Sequence, residues 1–259
     1  MKKNILLGAF RAESEGFAEL LLVGNEQSIS DMLKNLSLVS RNYTIVPVPE
    51  GEDVVQASID LIKEGKADGI VSAGNSGALL VGGQVMVGKL KGIERAPLAP
   101  IIPTVNGICL LVDCGANVDA KPSNLVQFAR MGSIYMEYVV GIKNPRVGIV
   151  NIGVEEEKGN ALVKETFPLL KACDDINFIG SIEAREFPYG AADVVVTEAF
   201  VGNVMLKLTE GLASGLFGMI KKSMTATPVS TIGAALVKPQ LKKTLKTFDA
   251  TEYGGAPLL

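Results

Sequence analysis

The sequence predicts an α/β fold in which helices cover a mainly parallel sheet. Short β-branched or apolar runs alternate with longer segments of helical period, the pattern of parallel strands joined by crossover helices. Several of these runs also end in a turn of small and amide residues that leads directly into a helix.

In chain order, Glu19–Val23 and Tyr43–Val48 are apolar runs of strand length, and Val54–Lys66 follows with helical spacing. Gly69–Ser72, built on Gly69-Ile70-Val71, is expected as a strand, and Ser72-Ala73-Gly74-Asn75-Ser76-Gly77 turns the chain into a helix over Ser76–Lys89. Gly107–Asp113 repeats the arrangement, its apolar run ending in Asp113-Cys114-Gly115-Ala116-Asn117 before a helix over Asn124–Val139. Arg146–Asn151 ends in Asn151-Ile152-Gly153 and precedes a helix over Asn160–Lys171. Asn177–Gly180 and Asp193–Thr197 complete the strands, and Glu198-Ala199-Phe200-Val201-Gly202-Asn203 opens a helix over Asn203–Lys222. Ligands of open parallel sheets bind beyond the carboxyl ends of the strands, so these turns are expected to line one cleft. No repeat or low-complexity linker divides the chain. A single domain over residues 1–259 is expected, with a basic amphipathic helical segment at about 223–247.

Bulk properties narrow the function. At 259 residues, 47% hydrophobic and 20% charged, the chain is a folded globular protein able to bury a large core. A net charge of −3 gives no general attraction for nucleic acid or anionic lipid, so any anion site is local. Cys109, Cys114 and Cys173 lack C-x-x-C spacing and are odd in number, which argues for reduced thiols in a cytoplasmic protein. The opening Met1–Leu7 starts like a signal peptide, but its apolar run stops at Arg11, and no run reaches the roughly 18 apolar residues of a membrane span. The chain has no histidine, which excludes a serine–histidine triad or a histidine base supplied by this chain.

Five segments carry candidate chemistry or binding. Ser72, Gly74, Asn75, Ser76 and Gly77 combine close backbone approach, hydroxyl donors and a helix start, which suit phosphate; an ordinary turn capped by Ser76 has the same composition. Asp113 to Asp119 place carboxylates and Asn117 around a sharp turn, although Asp and Asn also build turns for local reasons. Lys158 and Asn160 put a cation beside a helix start, although Lys158 also follows three glutamates as in a surface charge run. Asn203 stands four residues before Lys207 on one helical face. Finally, Ile232, Leu236 and Val237 beside Lys238 and Lys242 make a basic amphipathic segment, suited either to an anionic membrane surface or to packing on a dimer mate.

In this order, the motifs resemble those of the phosphate acyltransferase family of bacterial fatty acid and phospholipid synthesis, usually called PlsX. The matching stretches include Lys66–Leu79, Gly92–Pro97, Gly115–Asp119, Gln127–Ser133, Asn151–Gly153, Lys158–Asn160 and Tyr253–Pro257. The chain departs from the family pattern in the absent glycine-rich turn after Asn4-Ile5, in Gly51-Glu52-Asp53, and in Glu198 and Val201 of the segment before Asn203. The pattern implies further segments near the N-terminus, near residue 51 and after Leu259.

The resemblance implies a three-layer α/β/α fold related to the isocitrate dehydrogenase and phosphotransacetylase group, a homodimer, and peripheral contact with the inner face of the cell membrane. It implies acyl-carrier protein thioester and inorganic phosphate as substrates, with no metal or other cofactor. Under it, Ser72 to Gly77 cradle phosphate, Lys158 and Asn160 neutralise the phosphate or the oxyanion, and Asn117 and Asn203 orient the thioester. A phosphate acetyltransferase-like enzyme using acyl-coenzyme A, or a non-catalytic scaffold that docks on membrane and carrier protein, are the alternatives.

Overall fold

The computed structural model describes residues 3–39, 41–247 and 254–259. The chain forms two compact units, Met1–Lys91 and Gly92–Leu259.

In the first unit, α1 (Lys3–Ser14), β1 (Leu21–Gly24), α2 (Glu26–Asn35), β2 (Thr44–Pro47), α3 (Val54–Lys63) and α4 (Ser76–Gly82) follow one another, α4 running on as a wider π turn over Gly83–Val87. β1 and β2 pair in parallel, from Leu21 opposite Thr44 to Gly24 opposite Pro47. Leu6 and Phe10 of α1 and Ile29 and Leu33 of α2, each pair four residues apart, bury against Leu22. Neither helix was expected, because each shows only a narrow apolar stripe. Gly69–Ser72 is not a strand: no strand lies beside it among the described residues, and Val71 is 86% exposed. An apolar run without a ladder partner leaves its backbone groups to water and does not hold strand geometry.

The second unit contains β3 (Leu98–Thr104), β4 (Gly107–Val112), α5 (Pro122–Tyr135), β5 (Arg146–Asn151), α6 (Ala161–Lys171), β6 (Asn177–Glu183), β7 (Val194–Val196), α7 (Ala199–Met224), α8 (Pro228–Thr247) and β8 (Gly255–Pro257). The sheet order is β6-β5-β7-β4-β3-β8. β4, β5, β6 and β7 are parallel, and β3 runs antiparallel to both β4 and β8. β3 and β8 escape the sequence pattern. Pro100 and Pro103 interrupt β3, and its ladder with the C-terminal segment uses neighbouring groups instead, Ile101 N donating to Gly254 O and Leu258 N to Pro97 O.

Strand alternation sorts the core into two faces. Leu110, Val112, Ile149, Val194 and Val196 meet Leu125 and Phe128 of α5 and Phe167 and Leu170 of α6. Cys109, Leu111, Ile182 and Val195 point the other way, toward Met205 of α7 and Phe187. The result is a three-layer α/β/α unit with α8 as a helical excursion. Two devices hold it. The Arg146 guanidinium, at the start of β5, donates to both oxygens of Asp193 and to the Ala191 and Gly190 carbonyls. Gly202 lies against the Asp113 carbonyl, so α7 enters at backbone contact distance.

Two outcomes follow. Gly202→Ala puts a methyl into the Asp113 carbonyl and is expected to destabilise by about 1–3 kcal/mol in denaturant titration. Burial raises the Asp193 carboxyl, but the hydrogen bonds and charge of Arg146 outweigh it and hold the group below its usual range. A lowered carboxyl stabilises the fold above its unfolded value and loses that contribution as the pH falls through the folded one. The stability difference between the parent chain and Asp193→Asn is therefore expected to shrink below about pH 3.9.

Candidate functional site

At the carboxyl edge of the second sheet, a cavity of about 270 Å³ opens between the ends of β5 and β7 and the first turns of α6 and α7. Asn151, Asn160, Thr197 and Glu198 supply its polar groups; Leu125, Ile149, Leu162, Val163 and Val201 supply much of its apolar wall.

The edge is organised by Asp113, which follows β4 and is fully buried. Its Oδ1 accepts from the amides of Leu98, Gly115 and Ala116, and its Oδ2 from the amide and the Nδ2 group of Asn117. Asn117 Nδ2 also donates to Ala96 O at 2.9 Å, and its carbonyl accepts from Ala199 N at the start of α7. Both amide hydrogens of Asn117 are thus spent inside the protein, and its action on a substrate is through placement of the strand ends.

The loop after β5 is pinned by Asn151. Its Nδ2 donates to Lys158 O at 3.1 Å and to Ser181 Oγ on β6 at 3.0 Å, while its Oδ1 accepts from Ile152 N. Gly159 has φ of +108°, and a Cβ there would sit 2.6 Å from Asn151 Oδ1, so only glycine brings the chain this close. Asn160 then caps α6, its Oδ1 accepting from Val163 N at 2.9 Å. Lys158 Nζ pairs with Glu155 at 2.8 Å, both side chains about half exposed. That hydrogen bond raises the Lys158 ammonium and lowers the Glu155 carboxyl, so the lysine is charged at neutral pH.

On the β7 side, Glu198 caps α7, its carboxylate accepting from Phe200 N at 2.6 Å and Val201 N at 2.9 Å. Thr197 is 5% exposed and lines the cavity, and its hydroxyl has no hydrogen-bond partner among the described residues. Asn203 lies on the exposed side of α7 and is not part of the cavity wall. Burial, with the Asp113 charge adding, pushes the Cys114 thiol up to about 12, and burial raises Cys109 further; such thiols are poor nucleophiles.

The remaining candidates are not among the residues that line this cavity. Ser72, Gly74 and Asn75 lie on an exposed loop of the first unit, and Gly77 is exposed in the first turn of α4. There Ser72 Oγ accepts from Gly74 N, and Asn75 Oδ1 accepts from Gly77 N and Ala78 N. The cap of α4 is therefore Asn75 and not Ser76, and these three amides already have acceptors. Ile232, Leu236 and Val237 on α8 are exposed, as are Leu212, Leu216 and Met219 on α7. Lys238 and Lys242 are exposed beside them. No helix among the described residues is long and apolar enough to cross a membrane.

A family model described as "Fatty acid synthesis protein" matches residues 2–259. The chain belongs to that family. The phosphate acyltransferase of Desulfitobacterium hafniense (strain Y51) is 46% identical over 275 residues, covering 99% of this chain and 81% of the relative. That of Alkaliphilus oremlandii is 48% identical over 267 residues, covering 97% and 79%. Among solved structures, a phosphotransacetylase from Streptococcus pyogenes superposes with a TM-score of 0.66 at 16% identity, over 82% of this chain and 79% of that one. A phosphotransacetylase from Staphylococcus aureus does so with a TM-score of 0.63, also at 16% identity, over 82% and 80%. These likenesses carry the fold, and they agree with the three-layer expectation.

Asn151 and Thr197 line the cavity, although neither is among the site residues expected from the sequence. Both were visible as the last residue of a strand followed by a helix, but their roles depend on groups that only the fold brings near. Asn151→Ala is expected to free the 152–159 loop while leaving the sheet intact. Amide exchange in that loop is expected to accelerate at least tenfold with the β4 amides still protected; unchanged loop protection would show that Asn151 does not hold it.

Proposed function

We propose that this chain transfers a fatty acyl group from an acyl-carrier protein thioester to inorganic phosphate, releasing acyl phosphate for phospholipid synthesis. The observation that carries this reading is the cavity at the strand ends, where a mostly apolar hollow meets a helix start and neutral donors. Membership in a fatty acid synthesis family whose relatives are named phosphate acyltransferases supports the acyl transfer to phosphate.

The chemistry suits a chain without histidine. Phosphate is already an anionic nucleophile near neutral pH, so little base catalysis is required. A phosphate oxygen attacks the thioester carbon, the carbonyl oxygen becomes an oxyanion, and the C–S bond breaks to release the carrier thiol. Positioning and oxyanion stabilisation are what the protein supplies. In this reading the α6 N-terminus, with its dipole, and Lys158 draw the phosphate. The Glu155–Lys158 pair is exposed, so an incoming anion competes for the lysine without desolvating a buried pair. Asn160 and the Thr197 hydroxyl are donors for the developing oxyanion, Asn117 positions the β4 and α7 ends, and Asn203 contacts the thioester from α7. The Ser72 to Gly77 loop enters the reading as a phosphate contact through its family motif.

The exposed apolar rows of α7 and α8 beside Lys238 and Lys242 support peripheral contact with an anionic membrane at the cytoplasmic face. A homodimer is proposed on the family resemblance.

The test is incubation with palmitoyl-carrier protein with and without phosphate, followed by detection of acyl phosphate. Phosphate-dependent product is expected; loss of thioester only from acetyl-coenzyme A, or no loss at all, would overturn the reading. Lys158→Ala is expected to cut turnover about 10²–10³-fold with an unchanged melting temperature, and near-normal activity would remove Lys158 from the site.

A further inference from the structure

We infer that the apolar wall of the strand-end cavity is the subsite for the first carbons of the acyl chain, and that Val163 sets how many of them it takes. The inference rests on the acyl-transfer reading and names the part of the substrate that enters the cavity.

Four elements converge on the hollow. Leu125 comes from α5, Ile149 from β5, Val163 from α6 and Val201 from α7. Leu125 and Ile149 are 1% and 0% exposed, so the floor is sealed by the main core. An anion does not belong against such a floor, because burying a charge without partners is strongly unfavourable. The Glu198 carboxylate on the same wall adds repulsion. Its negative charge is already committed to capping α7 through Phe200 N and Val201 N. The phosphate is therefore held to the polar edge at the α6 start, where Asn160 lines the hollow and Lys158 lies two residues before it in the chain, and hydrocarbon is the part of the substrate that the hollow accepts.

Size sets the next step. A volume of about 270 Å³ corresponds to roughly nine groups the size of a water molecule or methylene, at about 30 Å³ each. That accommodates the carbons nearest the thioester and not a whole long chain. Each methylene buried there is worth about fourfold in kcat/KM, and the gain stops once the hollow is full. Val163 lines the hollow from α6, so its side-chain volume is part of what decides how many carbons fit. Its amide is held by the Asn160 cap at 2.9 Å, which fixes it in the first turn of α6, beside the polar rim.

The experiment uses the full chain and a series of saturated acyl-carrier protein thioesters from two to sixteen carbons, with phosphate-dependent kcat/KM measured for each. For the parent chain, kcat/KM is expected to rise about fourfold per carbon and to level off near eight to ten carbons. Val163→Ala is expected to move that break to longer chains, by about one or two carbons. Val163→Phe is expected to move it to shorter ones, lowering the twelve-to-four-carbon ratio of kcat/KM at least thirtyfold. Variants that scale every chain length by one factor, or that leave the break in place, would overturn the subsite. If Val163→Phe fails to fold, Val163→Ala and Val201→Ala read the same break. A parent chain that forms no acyl phosphate from any thioester would overturn the acyl-transfer reading and the subsite with it, whereas an active parent with an unmoved break overturns the subsite alone.

Discussion

The fully buried Asp113 carboxylate, wrapped by five N–H donors, is the constraint on which the carboxyl edge of the second unit depends. A buried charge is tolerable only when its lone pairs are occupied, so the chain around it has little freedom. Leu98 of β3, the turn at Gly115 and Ala116, and both amides of Asn117 are held by one side chain. Asn117 passes the constraint on through its carbonyl to Ala199, and Gly202 seats α7 on the Asp113 carbonyl itself. The position of α7, and with it one wall of the cavity, follows from this hub.

The two helix starts at the cavity differ in a way that matters for chemistry. α7 is capped by the Glu198 carboxylate, which spends the positive end of that helix on an internal partner. α6 is capped by the neutral Asn160 side chain, which satisfies one amide and adds no charge of its own. Under the proposed reaction, an incoming anion is drawn to the α6 start and kept from the α7 side. Aliphatic side chains between the two starts divide the hollow into a polar rim and an apolar interior, a division that an ester with one charged and one hydrocarbon partner requires.

Legibility in the sequence varied with the kind of interaction. Arg146–Asn151 was expected with the bounds it has, because a strand buried on both faces is apolar along nearly its whole length. The same signal in Gly69–Ser72 failed, since an apolar run becomes a strand only where another strand accepts its backbone. β3 failed in the opposite direction: two prolines hid a strand whose remaining groups complete its ladders. Among the candidate residues, Lys158 and Asn160 lie together on one loop. Asn117 and Asn203 share their sheet edge, but one is locked inward and the other stands outside the cavity.

By itself the sequence determined the α/β class, the strand-end location of the polar turns after β4, β5 and β7, the lack of histidine in this chain and the family. Each of these rests on local pattern or composition, which folding does not alter. Only tertiary structure decided that Asp113 and Asn117 form a buried clamp, that Asn151 reaches both Lys158 O and Ser181, and that Thr197 lines the cavity. Those roles depend on partners up to 30 residues away, and a hydrogen bond, unlike a periodicity, exists only once both ends have been brought within about 3 Å.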